Sequence, residues 1–447
     1  MQTDAIKSKN TKLENILDIA KKNGATQIEV IQTTWTDNPI SFENNTLKSL
    51  ESNEHTGIAI RLIKNNKIGI SSSTDPDALE MVVNSAIEAS MFGPEATFDF
   101  TTQKIDINEN RQAKPELPLE KLVEKGTRVI VELKTFHKDL LVSGGFDLGF
   151  GETVYLNSNG VYGKRAKTIY STSFYAHLVR GEDFLGIYDG RSNLDAFPNE
   201  NEIKEKILAK LNYSKEMVPL RTKKYSVIFT PRAVGSIFAY ILTVLLNGKA
   251  IQQGISPLVN KIGEELFDKK FSFIENPEIG TGRALFDDEG IKTKKKVLIK
   301  NGIVNSFYFD LSSGSKMNPK YASTGNGFKG GLSSSPSPNL TSLEIDVGEK
   351  SYPDLIKQTN EGILVDQLLG AGQSNTLAGE FNVGIDLGFK IENGEIKGRV
   401  KNSMIAGNIF DLLKNISEIS CDREWIGGSQ LFPAFLMEDI TVAGKQN

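Results

Sequence analysis

The segment from Val234 to Leu246 constrains the fold of this chain more than any other part of the sequence. Ten of its 13 residues are apolar, and they surround the predicted helix instead of lying along one face. Pro231 favours the start of that helix, and the pair Asn247-Gly248 favours its end. A helix that is apolar on every side belongs in a core or between subunits. We therefore predict a fold that is built around this helix.

The sequence that follows the helix predicts strands. It is rich in glycine, and Asn-Gly pairs at Asn301 and Asn393 each separate two apolar runs of the kind that form hairpins. A short β-like run also precedes the helix. We expect residues 223–447 to form a large, mostly antiparallel β domain, with the apolar helix packed on it or inside it.

The first half of the sequence predicts helices combined with antiparallel strands. In residues 1–100 the order is helix, four strands and helix, and a capping box at Thr11 marks the first helix start. Residues 101–118 are polar, contain two prolines and are typical of a linker. The same order of elements returns in residues 119–222, which is compatible with an internal duplication. The predicted fold class is α+β, with two N-terminal units of antiparallel sheet plus helix before the β domain.

Charge and composition exclude several classes of partner. The 52 basic and 56 acidic side chains give a formal net charge of -4 and are spread along the chain, unlike the basic patch of a nucleic-acid-binding protein. No apolar stretch approaches the roughly 20 residues that span a bilayer. The N-terminus lacks the apolar core of a signal peptide, and the single cysteine, Cys421, fits a reducing compartment. We expect a cytoplasmic protein with no nucleic-acid and no membrane partner.

Gly325, Gly327 and Gly330 match the spacing of the dinucleotide-binding fingerprint Gly-x-Gly-x-x-Gly. The context does not fit, because no buried strand precedes the motif and the residues after it cannot form a helix that would hold a phosphate. We interpret the segment as a mobile Gly/Ser loop. The functional alternative is a flap that closes over a bound ligand.

Other candidate catalytic or metal-binding residues lack the partners that their chemistry needs. Asp287, Asp288 and Glu289 carry the oxygen ligands of a hard-cation site, but they also fit an acidic turn before a strand. The lysines at 292 and 294–296 predict an exposed edge strand that is protected by charge. Neither the serines of the glycine loop nor the single cysteine has an obvious base beside it. The residues by themselves therefore give no active site.

Four long stretches of the chain resemble the TldD/PmbA family, in the same order and over nearly the whole length. The N-terminal stretch is ISFENNTLKSLESNEHTGIAIRLIKNNKIGISSSTD. The C-terminal stretches are TPRAVGSIFAYILTVLLNGKAIQQGISPLVNKIGEELF, GTGRALFDDEGIKTKKKVLIKNGIVNSFYFD and NTLAGEFNVGIDLGFKIENGEIKGRVKNSMIAGNIFDLLKNI. The family has also been called modulator of DNA gyrase. The resemblance implies a two-subunit assembly whose TldD-type subunit holds zinc with an HExxxH helix and a later cysteine, and cuts unfolded peptides.

This chain departs from the TldD type at the zinc motif. Ala239, Tyr240 and Val244 take the helix positions of the His, Glu and His, and HExxxH occurs nowhere in the sequence. Methyl and isopropyl groups cannot bind zinc, and a tyrosine is a poor general base. The resemblance therefore implies the PmbA or TldE type, with no catalytic residue and no metal of its own. Zinc is expected only on a TldD-type partner.

We expect a non-catalytic partner subunit of a TldD-type zinc peptidase that dimerises through its β domain and binds unfolded peptides by strand addition. The isolated chain should form a homodimer. Two alternatives stay open: a peptide-binding adaptor homodimer without an enzyme partner, and an independent hydrolase that uses Asp287, Asp288 or the serine loop. The residues expected to contact the peptide are Tyr240, Gly325, Gly327, Gly330, Ser374 and Asn375.

Overall fold

A computed structural model describes residues 2–109, 117–317, 323–370, 372 and 375–444, with side chains from residue 12 onwards. The N-terminal half is one antiparallel sheet of eight strands with four helices packed on it. The strands are β1 (Gln27–Asp37), β2 (Pro39–Glu43), β3 (Thr46–Leu50), β4 (Asn53–Lys64), β5 (Lys67–Ser73), β6 (Leu141–Asn157), β7 (Tyr162–Arg180) and β8 (Asp183–Asn193). The helices are α1 (Gln2–Lys22), α2 (Leu79–Phe92), α3 (Leu119–Lys134) and α4 (Glu200–Tyr213).

Strand β6 joins the two predicted N-terminal units into one sheet. Strands β1 and β2 follow one another along one edge of β6, and β7 pairs along its other edge. In the described part of the predicted linker, residues 101–109, Ile105 is buried against Tyr155 and Phe286. The strands of residues 1–100 and 119–222 therefore share one sheet, and the start of the segment between them packs on it.

Local signals predict most, but not all, element boundaries in this half. Helix α3 spans the predicted residues 119–134, and the β4–β5 hairpin turns at Asn65 and Asn66, which both have positive φ. Helix α1 begins at Gln2 instead of Thr11. The capping preference of Thr11 contributes only about 1 kcal/mol, and the residues before it contain neither proline nor glycine. The helix therefore continues through the predicted start.

The C-terminal half contains a sheet of eleven strands and a separate hairpin, formed by β13 and β14. The strands are β9 (Lys223–Phe229), β10 (Phe273–Glu275), β11 (Lys296–Lys300), β12 (Ile303–Val304), β13 (Gly327–Lys329), β14 (Pro336–Pro338), β15 (Leu343–Ile345), β16 (Glu361–Leu369), β17 (Glu380–Glu392), β18 (Glu395–Val400), β19 (Ser403–Asn408), β20 (Ile416–Ile426) and β21 (Gln430–Gly444). The helices are α5 (Pro231–Val234), α6 (Tyr240–Leu245), α7 (Gly248–Gln252), α8 (Leu311–Met317), α9 (Tyr352–Gln358) and α10 (Ile409–Lys414).

Five strands of the large sheet close into a barrel around the apolar helix. Strands β9, β16, β17, β19 and β21 form a ring, because β21 pairs with both β19 and β9. Helix α5, a π-helical turn and helix α6 follow one another without a break, and we call residues 231–245 the central helix. Its Phe238 contacts the rings of Phe229, Phe381 and Phe435, with centroids 5.1, 6.4 and 5.8 Å away. These three rings come from three strands of the barrel, which confirms the predicted α+β fold with an enclosed helix.

The prediction of an exposed, lysine-protected edge strand is wrong. Strand β11 pairs with β10 on one side and β12 on the other, so it lies inside the sheet. Lys296 is buried, and its Nζ lies 2.9 Å from a carboxylate oxygen of Glu275, which is also buried. The ion pair with Glu275 compensates the charge of Lys296, which the pattern of lysines had predicted to face solvent.

Among the described residues, no helix is both long and apolar enough to cross a membrane.

Candidate functional site

The central helix contains one wide turn that ends at Ala239, the first position of the degenerate zinc motif. Gly235–Ala239 is π-helical, and the Tyr240 N–H donates to the carbonyl oxygen of Gly235, five residues back. Turns of this type inside α-helices are frequent at functional sites. Ala239 is fully buried, Val244 is half-buried and Tyr240 is 42% exposed. The helix is therefore not covered on every side, as its apolar sequence had predicted, because its motif face is partly open.

A cleft of about 390 Å³ adjoins this face, and we call it the helix cleft. Tyr308 closes one side by donating its hydroxyl proton to the carbonyl oxygen of Thr243 at 2.6 Å, and burial raises the pKa of this phenol above its ordinary value. Asn247 donates to the Pro338 carbonyl oxygen at 3.1 Å, which ties the end of the helix to β14. The lining residues are Thr243, Val244, Asn247, Tyr308, Pro338, Asn339, Leu340, Thr341, Leu343, Ser429 and Gln430.

Glu275 holds the wall of the helix cleft in place by hydrogen bonds. One of its carboxylate oxygens accepts hydrogen bonds from the Thr341 N–H and hydroxyl, both at 2.9 Å, and from the Asn326 amide at 2.8 Å. Its second oxygen faces Lys296. Since all three bonds on one oxygen come from two different segments, Glu275 holds the cleft wall and the glycine motif in a fixed relation.

The glycine motif and the acidic turn, which the sequence gives as separate features, form one unit. Asp287 accepts the N–H of Gly327, and Asp288 accepts the N–H of Lys329, each at 2.8 Å. Residues 327–329 are strand β13, which pairs with β14, so the segment is a hairpin and not the predicted mobile loop. Gly327 is needed for close packing, since a Cβ at this position would overlap the carboxylate of Glu289.

The acidic turn is buried at the junction between the two halves of the molecule. Glu289 is fully buried, and its Oε1 lies 3.1 Å from the Arg61 guanidinium of strand β4, which also pairs with Glu29. Burial raises the pKa of Glu289 well above its ordinary value, against the opposing effect of Arg61. Burial also raises the pKa of Asp287 to about 7, although three backbone N–H groups oppose it. The segment is therefore a turn, as the sequence interpretation had it, and it anchors the two halves of the molecule.

A second cavity, which we call the junction pocket, lies beside this anchor. Its volume is about 410 Å³, and both halves of the chain contribute to its walls. It shares Asn339, Leu340, Thr341 and Ser429 with the helix cleft, so the two cavities lie side by side, and we call them together the groove. Its other lining residues are Trp35, Glu109, Gly151, Glu152, Thr153, Arg165, Ala166, Lys167, Gly282, Arg283, Ala284, Asp288, Phe328 and Lys329.

None of the described residues that were predicted to contact the peptide lines either cavity, although some of them lie nearby. The 3-10 turn Thr376–Ala378 packs on helix α6, so Asn375, which is exposed, lies close to the helix that carries Tyr240. Gly325 and Gly327 are buried, and Gly330 is exposed at the end of strand β13. Ser374 lies outside the described residues.

Sequence reasoning did not identify the charged residues of the junction pocket. Arg165 and Lys167 lie on strand β7, Arg283 and Lys329 come from the C-terminal half, and Glu109 lies in the predicted linker. No spacing along the chain connects these segments. The only local signal is the concentration of basic residues at positions 164, 165 and 167 of one predicted strand.

The residues at the motif position do not fit zinc. Ala239 and Val244 offer no lone pair, and the Tyr240 side chain is a phenol at an exposed position. Cys421 is exposed on strand β20, with its sulfur 3.8 Å from an Asp422 carboxylate oxygen. In the part of the chain that the structure describes, no three His, Cys, Asp or Glu side chains are arranged to hold a metal ion.

Two family models match this chain. Residues 222–444 match the PmbA/TldA metallopeptidase C-terminal domain, and residues 28–90 match the PmbA/TldA metallopeptidase domain 1. The metalloprotease PmbA of Escherichia coli O157:H7 is 24% identical over 448 residues, which cover 95% of this chain and 93% of that protein. A metalloprotease PmbA homologue of Haemophilus influenzae is 26% identical, with coverages of 96% and 94%.

Solved structures extend the likeness to the fold. TldE from Thermococcus kodakarensis superposes with a TM-score of 0.86 at 25% identity, covering 97% of this chain and 100% of that one. A protein from Thermotoga maritima, described as a modulator of a DNA gyrase, superposes with a TM-score of 0.82 at 20% identity, with coverages of 97% and 100%. At that identity the second likeness concerns the fold alone.

Proposed function

Because this chain belongs to the TldD/PmbA family, we propose that it is a non-catalytic, PmbA/TldE-type partner subunit of a TldD-type zinc peptidase. The observation that carries the proposal is the donor set of the central helix. Ala239, Tyr240 and Val244 stand at the motif, next to a formed cleft, and none of them can bind zinc or activate water at neutral pH. Such a site keeps room for a peptide without the chemistry that would cleave it.

The groove formed by the helix cleft and the junction pocket is the proposed peptide site. Its shared wall, residues 339–341, is an irregular backbone segment between strands β14 and β15. We propose Tyr240 and Asn375 as direct contacts, because both are exposed at the helix. Gly325, Gly327 and Gly330 act by shaping the hairpin at the wall. A contact from Ser374 stays a prediction.

We propose that subunits pair through the β domain. Leu369 on β16 and Met404 on β19 lie opposite Gly384 of β17, so they form one row across the barrel. Their side chains are 60% and 46% exposed, which leaves an apolar surface that a second subunit would cover. A TldD-type subunit would cover it in the cell, and a second copy of this chain in isolation.

The hydrolase alternative has little support from the residues that it needs. Asp287 is fully buried and holds three backbone N–H groups, while Asp288 pairs with Arg165 at 2.5 Å and accepts the Lys329 N–H. Carboxylates engaged in this way are not free to act as a general base. The single cysteine is compatible with the reducing cytoplasm, where we propose that the subunit acts.

The experiment that tests the proposal is purification of the tagged full chain from its native cell, followed by identification of co-purifying chains. We expect a chain that carries HExxxH to co-purify, and chelator-sensitive cleavage of an unfolded casein-type substrate only when that chain is present. The test variant is Met404→Asp, which should lose the partner. Its control is Lys138→Asp on an exposed turn, which should keep the partner.

Each alternative predicts a different outcome. Recovery of the chain only as a homodimer, without an HExxxH partner, would favour the adaptor. Chelator-sensitive cleavage by the isolated chain would contradict the non-catalytic assignment. Retention of the partner by Met404→Asp would contradict pairing through the barrel surface.

A further inference from the structure

The junction pocket contains more positive charge than its own carboxylates neutralise. Four cations line it, namely Arg165, Lys167, Arg283 and Lys329, together with three carboxylates, namely Glu109, Glu152 and Asp288. Arg165 pairs with Asp288 at 2.5 Å, and Arg283 pairs with Glu109. Glu152 pairs with Lys164, which lies outside the pocket, at 3.0 Å.

Two ammonium groups are left without a carboxylate partner within the described residues. The Lys167 Nζ donates to the carbonyl oxygen of Thr281 at 2.9 Å, and the Lys329 Nζ donates to the carbonyl oxygen of Ser334. Both contacts are with neutral acceptors, and an ammonium group has three N–H donors, so each lysine keeps further donors. Among the described residues, the lining therefore carries a net positive charge, which Asp288 offsets only in part.

The lowered pKa of Lys167 shows that its positive charge is unfavourable in this pocket. Burial, together with the neighbouring Arg165 and Arg283, lowers the pKa of Lys167 to about 8, although Asp288 opposes the shift. An ammonium group in a partly buried pocket beside two guanidinium groups is unfavourable unless an anion compensates it. The position of Lys167 beside the proposed peptide groove therefore favours the binding of an anion in this pocket.

We propose that the junction pocket binds a carboxylate of the peptide that lies in the helix cleft, with Lys167 and Lys329 as its ligands. This inference rests on the proposed function, since it needs a peptide in the groove. The shared wall at residues 339–341 gives the connection, because a chain that leaves the helix cleft along this wall enters the pocket. Two sources offer the same chemistry: the C-terminal carboxylate of the peptide and an acidic side chain.

The arginines set the shape of the site without being its main ligands. The Arg165 guanidinium lies 5.0 and 5.7 Å from the ring centroids of Phe286 and Phe328, and it also donates to the Phe286 carbonyl oxygen. Its donors are thereby committed to Asp288 and to the backbone. The lysines are compact charges on flexible stems, so they can follow a carboxylate that arrives from the cleft.

The experiment measures the affinity of the full chain for four versions of one unstructured, fluorescein-labelled peptide. The first has a free C-terminus and one internal Asp, the second has a C-terminal amide, the third has Asn instead of Asp, and the fourth has both changes. We expect the loss of the recognised carboxylate to weaken binding roughly tenfold, as for one charge-assisted hydrogen bond. The peptide that loses affinity identifies the source.

Variants locate the effect. Lys167→Met should bind the peptides with and without the recognised carboxylate equally, at the affinity that the wild type has for the uncharged one. Lys138→Met, an exposed lysine in the turn before β6, is the matched control and should keep the tenfold difference. Lys329→Met provides a second test if thermal melting shows that Lys167→Met does not fold.

The outcomes separate this inference from the function on which it rests. Equal affinity of the wild type for all four peptides would overturn the carboxylate site and leave the peptide groove intact. The same loss of discrimination in Lys138→Met would attribute the effect to overall charge and would also overturn it. Failure of the wild type to bind any of the four would contradict the proposed function itself.

Discussion

The barrel core and the junction between the two halves are both fully buried, but they are stabilised in opposite ways. Phe238 at the centre of the barrel belongs to an apolar cluster and contacts three aromatic rings. Arg61 at the junction is as deeply buried and pairs with Glu29 and Glu289. Burial opposes the charge of Arg61, but the two carboxylates outweigh it and raise its pKa.

This difference separates packing from chemistry in the molecule. The resemblance implies that this helix carries the zinc ligands in the TldD type. In this chain the helix fills the barrel. Buried charged groups lie instead at the junction, and further charged groups line the pocket beside it. Under the proposed function, peptide recognition is therefore to be sought beside the motif helix and not on it.

The largest effect is expected from the variant Phe238→Ala, which removes the ring at the barrel centre. Large-to-small changes of this kind cost about 3–5 kcal/mol of unfolding free energy, since a cavity remains. The loss should hardly depend on pH, because the ring is buried in an apolar cluster. Urea unfolding at pH 5 and pH 8 measures both points, and Phe238→Leu should lose clearly less. A pH-dependent loss would contradict an apolar origin.

The variant Arg61→Met should cost about as much at neutral pH, roughly 3–5 kcal/mol, because it leaves buried carboxylates unpaired. Its pH dependence should differ. Burial already holds the pKa of Glu289 above its ordinary value, and the loss of Arg61 removes the charge that lowers it. A carboxyl whose folded pKa is raised stabilises the fold at low pH and loses that contribution as the pH increases.

The deficit of Arg61→Met should therefore be smaller at pH 5 than at pH 8. Urea unfolding at the two values measures it beside Phe238→Ala. Combining Arg61→Met with Glu289→Gln should recover part of the loss at pH 8. A deficit that is the same at both pH values, and unchanged in the double variant, would show that the junction is stabilised by packing, like the barrel.

Restoring the zinc motif should destabilise the chain without creating a peptidase. In the variant with Ala239→His, Tyr240→Glu and Val244→His, the cost should fall mainly on position 239, where an imidazole enters a fully buried site at about 1–3 kcal/mol. Positions 240 and 244 are at least partly open, so the double variant Tyr240→Glu with Val244→His should melt close to the wild type. Thermal melts and a fluorogenic peptide assay, each with and without zinc, decide. Robust zinc-dependent cleavage would contradict the packing account.

The smallest effect in this series is a gain. Lys167→Met should raise the unfolding free energy at pH 7 by roughly 1–3 kcal/mol, because it removes a charge that the pocket disfavours. The pKa of Lys167 is lowered to about 8, first by burial and then by Arg165 and Arg283. As the pH increases from about 8 towards the ordinary lysine value, the folded wild type releases its proton first and regains stability.

The gain from Lys167→Met should therefore shrink between pH 7 and pH 10. Urea unfolding of variant and wild type at both values measures it, with Lys138→Met as the control that should show no gain. A constant gain, or a gain that increases with pH, would mean that the charge of Lys167 is not the cause.

The parts of the fold that depend on neighbours in sequence were predictable. The turns at Asn301 and Asn393 have positive φ and close hairpins as expected, because this backbone conformation is a property of the Asn-Gly pair. The burial of the helix after Pro231 follows equally from its own composition. These signals act over a few residues and need no knowledge of the rest of the chain.

The junction could not be predicted because its contacts join distant residues. Arg61 and Glu289 are 228 positions apart, and each looks like an ordinary surface charge in its own segment. The same holds for Lys296. Its lysine-rich surroundings predict an exposed edge strand, but its ammonium group faces Glu275 of another strand. Barrel closure by the pairing of β9 with β21 is equally invisible to local patterns.

The central claim is that this chain supplies no zinc site of its own and works beside a chain that does. Elemental analysis of the isolated chain and of the complex purified from the native cell tests it most directly. We expect the isolated chain to hold zinc well below stoichiometry, and the complex to hold zinc that follows the HExxxH partner when the two are separated. One tightly held zinc for each isolated chain would contradict the account.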